Sequence, residues 1–283
     1  MALISSGVGV FVVAIGAVIA GLGSVLSKSK EFEKGLSTLE AVTGASSSEM
    51  ERLSKLAKEL GSTTAFTATQ VLELQTNLAK LGFKTTEIED ATASILDLAA
   101  SLEVGLGEAA EFSGSIVKSF GLTTEETTRV VDVMAKSTSS SALNFEGLRE
   151  SLKLVAPVAK ATGNSIEKTT ALLGVLADRG LKGSIAGTGL SQTFVELNKK
   201  GLTLEQAMTK VSQSSNKLGT AMKLVGTRGG RALLTLADGR KDIEGLEQTF
   251  LNSAGAAREM ADIRLDNLAG DTTILASAFE GLL

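Results

Sequence analysis

The segment Gly82-Phe83-Lys84-Thr85-Thr86-Glu87 is one of four between residues 82 and 206 that place a hydroxyl and a glutamate after a glycine. The others are Gly121-Leu122-Thr123-Thr124-Glu125-Glu126, Gly163-Asn164-Ser165-Ile166-Glu167 and Gly201-Leu202-Thr203-Leu204-Glu205-Gln206. Glycine tolerates the left-handed conformation that closes a helix, and the hydroxyl can accept unpaired N–H groups of the next helix. The four segments therefore predict helix joints at Gly82, Gly121, Gly163 and Gly201.

Capping boxes support the same interpretation. In such a box a threonine and the Glu or Gln three residues later satisfy each other's backbone N–H groups. The sequence predicts them at Thr67…Gln70, Thr86…Glu89, Thr123…Glu126 and Thr203…Gln206. Alternating apolar runs bounded by hairpin turns, the pattern of a sheet, are not found. We therefore expect an all-α fold, a chain of short helices and helical hairpins with glycine joints.

Four further segments predict local features of the helices and of the turns between them. Residues 44–48 should interrupt a helix, and the serine-rich residues 137–141 should form an exposed loop. Pro157 has apolar residues in helical period on both sides, so it should lie within a helix or at a kink. Residues 226–231 are rich in glycine but lack the Gly-Lys-Ser/Thr ending of a phosphate loop, so they are interpreted as a turn between helices.

Composition argues against an enzyme. The 283 residues include no His and no Cys, which removes the usual general base near neutral pH and any thiolate ligand or nucleophile. Neighbouring acids such as Glu125 and Glu126, or Glu87 and Glu89, lie in predicted first turns, where capping explains them. The sequence thus predicts no catalytic, cofactor-binding or metal-binding residues. A formal net charge of −4 also predicts no sequence-specific binding of nucleic acid.

The amino terminus is the most apolar part of the chain. Residues 1–27 carry no charged side chain, and residues 8–26 would span roughly 29 Å as a helix at about 1.5 Å per residue. A secretory signal fits poorly because no basic segment precedes the apolar run. Three interpretations stay open: a hydrophobic helix that enters a membrane, a helix buried against other copies, or an artefact of cloning or processing. Gly16, Ala17, Ala20 and Gly21 form the small face expected to mediate self-association or membrane packing.

Five short sequence motifs, in this order along the chain, resemble the core region of phage tail tape measure proteins. The resemblance extends from about Phe32 to about Leu197. The motifs are Leu60-Gly61-Ser62-Thr63-Thr64-Ala65-Phe66-Thr67-Ala68-Thr69-Gln70-Val71, Leu78-Ala79-Lys80-Leu81-Gly82-Phe83, Val131-Asp132-Val133-Met134-Ala135-Lys136, Ser151-Leu152-Lys153-Leu154-Val155-Ala156-Pro157-Val158-Ala159 and Leu181-Lys182-Gly183-Ser184-Ile185-Ala186-Gly187-Thr188-Gly189-Leu190. One departure is Arg179-Gly180-Leu181, where the family usually has a small residue, Gly and Ile.

The resemblance implies a structural protein inside the tail of a virion. Several copies would lie along the tail lumen while tube subunits polymerise around them, so that tail length is set and DNA delivery across the host inner membrane is aided. Implied partners are other copies, tail tube proteins, and tail tip or baseplate proteins. The implied division is a hydrophobic helix at 1–27, a tape measure core at 28–198, and a helical segment at 199–283 that continues into a longer protein. Alternatives are a pore-forming or membrane-delivery protein and a helical interaction scaffold unrelated to phage.

Overall fold

The computed structural model describes residues 28–281, and all regular secondary structure in that range is helical. The all-α prediction is therefore confirmed for the described residues. We number the α-helices in chain order: α1 (28–43), α2 (Ser47–Thr63), α3 (Ala68–Lys80), α4 (Thr85–Leu102), α5 (Leu106–Phe120), α6 (Thr127–Ser140), α7 (Phe145–Ala161), α8 (Ile166–Asp178), α9 (Gly183–Lys199), α10 (Leu204–Ser212), α11 (Lys217–Asp238), α12 (Arg240–Leu251), α13 (Ala256–Leu265) and α14 (Leu268–Gly281). A short 3-10 helix, Thr124–Glu126, precedes α6.

Three of the four predicted capping boxes are present. At the start of α3, the Thr67 N–H donates to Gln70 Oε1 at 2.9 Å, and the Gln70 N–H donates to Thr67 Oγ1 at 3.3 Å. Boxes also open the 3-10 helix at Thr123 and α10 at Thr203. The predicted Thr86…Glu89 box was wrong. Helix α4 already begins at Thr85, one residue before the predicted cap. The Lys84 N–H donates to Glu87 Oε2 at 2.7 Å, so Glu87 rather than Glu89 accepts the backbone N–H at the start of this helix.

The expected serine-rich loop at 137–141 was also wrong. Helix α6 continues through Ser140, and Ser137 is completely buried. Its hydroxyl donates to the Met134 carbonyl at 2.7 Å, which satisfies the polar group without a loop. Pro157 lies inside α7, as predicted. The turn predicted at 226–231 is confined to Gly226 (φ 74°), which kinks α11, while the residues after it are helical.

The described residues fall into two compact units. The first comprises residues 28–89 and 265–281. Here α2 packs against α3 and α14, and the Gln75 amide donates to the Leu53 carbonyl of α2 at 3.2 Å. Arg52 of α2 also pairs with Glu89 at 3.0 Å. Polar contacts of this kind tie the helices of the unit together across a core that includes Leu39, Leu53 and Leu72, all fully buried.

The second unit, residues 90–264, is a two-layer helical stack. Helices α5, α7, α9 and α11 pack consecutively in one layer, and α6, α8 and α12 pack in the other, with α10 against α11. Neighbours in the first layer are therefore alternate helices of the chain, as in helical repeat proteins, whereas α12 lies beside α6 and α8 in the second layer. Fully buried aliphatic side chains lie between the layers, and an edge-to-face ring pair, Phe112 and Phe145, joins α5 to α7 with centroids 5.4 Å apart.

Candidate functional site

The structure places each of the four predicted joint glycines one or two residues after the end of a helix, with φ between 61° and 83°. In every case the residue after the glycine donates its N–H to a carbonyl five residues back, the bond that defines a Schellman closure. The donors and acceptors are Phe83 to Leu78 at 3.1 Å, Leu122 to Val117 at 2.9 Å, Asn164 to Ala159 at 2.8 Å and Leu202 to Leu197 at 3.0 Å. The same closure therefore recurs at the ends of α3, α5, α7 and α9.

A fifth closure of this type follows α8 and was missed. Gly180 has φ 84°, and the Leu181 N–H donates to the Leu176 carbonyl at 2.8 Å. This joint lacks the hydroxyl and the glutamate that marked the others. The signal that could have found it is the glycine itself, placed between one helical pattern and the next.

Glutamates of the joints also link alternate helices of the second unit. Arg129 of α6 pairs with Glu167 of α8 at 2.7 Å, and Lys168 of α8 pairs with Glu205 of α10 at 2.6 Å. Burial by itself raises the pKa of Glu167, whose side chain is only 4% exposed, but the Arg129 hydrogen bond leads the effects that leave that pKa below its ordinary value. These ion pairs therefore link the first turn of α6 to the first turn of α8, and the first turn of α8 to the first turn of α10.

Helix α9 approaches α7 closely through a glycine. A Cβ added at Gly187 would lie 2.6 Å from the Ser151 carbonyl oxygen of α7, which is too close for any side chain. Ser151 itself is fully buried, and its Oγ lies 2.8 Å from the Gly183 carbonyl oxygen. The two backbones therefore touch where only small residues fit.

The same helix approaches α11 on its other side. A Cβ added at Gly189 would meet the Ala232 Cβ at 3.0 Å, and Thr193 Oγ1 lies 3.3 Å from the Gly229 carbonyl oxygen. Helix α9 is therefore held between α7 and α11 by small residues on two faces. This packing role was not predicted, although the spacing of Gly183 and Gly187 is that of a close helix contact.

An open groove lies between α9 and α11, with a cavity volume of about 310 Å³. Its lining combines apolar side chains, two hydroxyls and two guanidinium groups: Leu181, Ser184, Ile185, Thr188, Gly189, Arg228, Arg231 and Ala232. Ile185 is 63% exposed. The guanidinium groups of Arg228 and Arg231 form no hydrogen bond or ion pair with any described residue. The groove thus offers positive charge beside an apolar surface.

The remaining predicted residues are placed as follows. Glu125 and Glu126 lie in the 3-10 helix, and Glu87 caps α4. Among residues 28–281, no group of three or more His, Cys, Asp or Glu side chains is arranged to hold a metal ion. The same range includes no helix both long and apolar enough to span a membrane. The prediction of a hydrophobic helix at 8–26, with Gly16, Ala17, Ala20 and Gly21 on its small face, lies outside the described residues.

Stacked helices, closed by glycines and held by caps and close backbone contacts, place the described residues among all-helical proteins of the stacked type. Comparison with known proteins gives the family. Residues 54–271 match the family described as phage-related minor tail protein. The chain is 30% identical over 280 residues to the tape measure protein of Pneumococcus phage Dp-1, an alignment that covers 89% of this chain and 24% of the relative. It is 31% identical over 312 residues to the probable tape measure protein of Escherichia phage P2, covering 98% and 38%.

This chain belongs to the phage-related minor tail protein family, and its predicted resemblance to phage tail tape measure proteins is confirmed. It spans only about a quarter of the length of one of these relatives and about two fifths of the other. No solved structure matches it.

Proposed function

We propose that the chain is a folded structural segment of a tail tape measure protein, located inside the tail of a virion and needed for tail tube assembly. The observation that carries this proposal is the family match over residues 54–271, together with relatives that are named as tape measure proteins. Its role is structural rather than catalytic. Because the relatives are phage proteins, a helical scaffold unrelated to phage is not retained as an alternative.

The fold suggests how this segment contributes. As one continuous helix, 283 residues would extend about 420 Å at about 1.5 Å per residue. The helices of the second unit instead stack side by side in two layers. A stacked segment adds far less length per residue than an extended helix. We therefore assign tail-length measurement mainly to the rest of a longer protein, and we assign to this segment contacts with other copies, tail tube proteins, and tail tip or baseplate proteins.

In-frame deletion of residues 90–264 from the phage gene tests the proposal. Electron microscopy of lysates should show few complete tails, or tails of irregular length, because tube polymerisation loses the folded segment. Gly245→Ala is a suitable control, since a Cβ at Gly245 meets no atom within 4 Å and the fold should be kept. Normal numbers of tails with normal length after the deletion would contradict the proposal.

The second candidate function is delivery of DNA across the host inner membrane, which the charge-free residues 1–27 favour. An apolar helix at 8–26 would be long enough to cross the bilayer core. The variant Ala17→Glu should lower flotation of the full chain with liposomes, because an unpaired buried charge is costly. Ala254→Glu, at an exposed position between α12 and α13, is the matched control. Equal flotation of wild type and both variants would remove this candidate.

A further inference from the structure

The groove between α9 and α11 presents two positive charges beside an apolar surface, which suits a partner with negative charge. Arg228 and Arg231 are three residues apart on α11, so their side chains share one helix face. Both are exposed, and neither pairs with a described residue. Leu181 and Ile185 line the groove beside them. An acidic segment with one protruding aliphatic side chain would complement both the charges and the apolar surface.

The outer face of α13, in the same unit, has these properties. Glu259, Asp262 and Ile263 follow the i, i+3, i+4 spacing that places side chains on one helix face, and all three are exposed. Ile263 is 68% exposed and Ile185 is 63% exposed. These are the highest values among the large apolar side chains of residues 90–264. An exposed aliphatic side chain flanked by charges can form the apolar centre of a contact whose rim is polar.

We infer that the α9–α11 groove of one chain binds the outer face of α13 of a second copy. In this contact Ile263 enters the groove beside Ile185, and Glu259 and Asp262 face Arg228 and Arg231. The two surfaces are different, so the contact is head-to-tail and leaves one groove and one α13 face free at the two ends of a pair. Copies can therefore add in series. The contact forms between isolated chains and does not rest on the proposed function.

Charge reversal and mixing test this contact on the full chain, kept in a mild detergent that covers residues 8–26. Sedimentation at low ionic strength should show association of the wild type that weakens as salt is added, because the exposed charges are screened. The variants R228E/R231E and E259K/D262K should each associate at least about tenfold more weakly, since like charges then face each other. An equimolar mixture of the two variants should associate again, because each altered surface meets its complement. Ile263→Ser should weaken association without changing its salt dependence.

A matched control is K153E/K241E, which changes the net charge by the same amount at two exposed lysines outside both surfaces. It should associate like the wild type. A monomeric wild type, or charge variants that associate normally, would overturn the inference. A fluorescent DNA duplex provides a further arm. If the wild type stays monomeric and binds the duplex through Arg228 and Arg231, the groove holds a phosphate backbone and the inference is wrong.

Discussion

Asp132 of α6 accepts the backbone N–H of Ala257 at 3.0 Å, a hydrogen bond between residues 125 positions apart. The other carboxylate oxygen accepts the Gly255 N–H at 2.8 Å. Asp132 is only 4% exposed, so a distant acid serves as the cap of α13 and its charge suits the positive end of that helix. Gly255, the residue before α13, has no side chain that could cap the helix, so the acceptor is supplied by Asp132 of α6.

Replacement of this cap is the first prediction. Asp132→Ala should lower the free energy of unfolding by about 2–3 kcal/mol, since two backbone donors lose a charged acceptor in a buried place. Asp132→Asn keeps one acceptor oxygen and should cost less. Hydrogen exchange of the amides in α13 measures the effect locally. Unchanged protection of α13 in the alanine variant would show that Asp132 does not hold this helix.

Gly187→Ala is predicted to destabilise the second unit by about 2–3 kcal/mol. The added Cβ meets the Ser151 backbone at 2.6 Å, and backbone cannot move aside as a flexible side chain does. Gly245→Ala, in the interior of α12, is the control and should raise stability by up to about 1 kcal/mol, because alanine is the better helix former. Urea unfolding followed by circular dichroism compares the two. Equal effects would rule out a close α7–α9 contact.

The joint glycines lead to a prediction about backbone conformation alone. At Gly163 (φ 74°) no atom lies within 4 Å of an added Cβ, so only the left-handed conformation opposes a side chain. Gly163→Ala should therefore cost about 1 kcal/mol in the free energy of unfolding. Asparagine enters the left-handed region more readily, so Gly163→Asn should cost clearly less. If alanine and asparagine have the same effect, or none, the closure does not depend on the left-handed conformation.

Asp97 leads to a prediction about pH. Burial raises the pKa of this carboxyl to about 6 from its ordinary 3.8; Arg258 opposes the shift, and Asp262 and Asp132 add to it. The folded protein therefore binds the proton more tightly than the unfolded chain. Stability should fall as pH rises from about 4 to about 6, by about 1 kcal/mol after allowance for the partial exposure of the group.

The variant Asp97→Asn removes that titration. Its melting temperature should exceed that of the wild type at pH 8, and the difference should shrink as pH falls towards 4. A difference between the two proteins that stays constant across this range would show that Asp97 is not the group responsible.

Local signals predicted the helical fold because they act over a few residues. Thr67 with Gln70, and Thr203 with Gln206, are short-range pairs that any chain of this sequence can form. The layered order of the second unit depends instead on distant contacts. The contact of Gly187 with Ser151 is an example. A glycine in a helical pattern indicates that another backbone approaches closely, but the sequence does not show which residue that backbone belongs to. The serine-rich end of α6 is helical instead of a loop for a related reason. Burial of Ser137 and its hydrogen bond to the Met134 carbonyl outweigh the preference of serine for turns.

We propose that this segment is folded in the tail and adds little to its length. An in-frame duplication of residues 90–264 in the phage gene tests it most directly, with tail lengths measured by electron microscopy. As an extended helix the added residues would lengthen the tail by about 260 Å at about 1.5 Å per residue. Tails that assemble with the duplication should gain less than about a quarter of that length. A gain close to the full length of about 260 Å would contradict this proposal and show that the segment is extended in the tail.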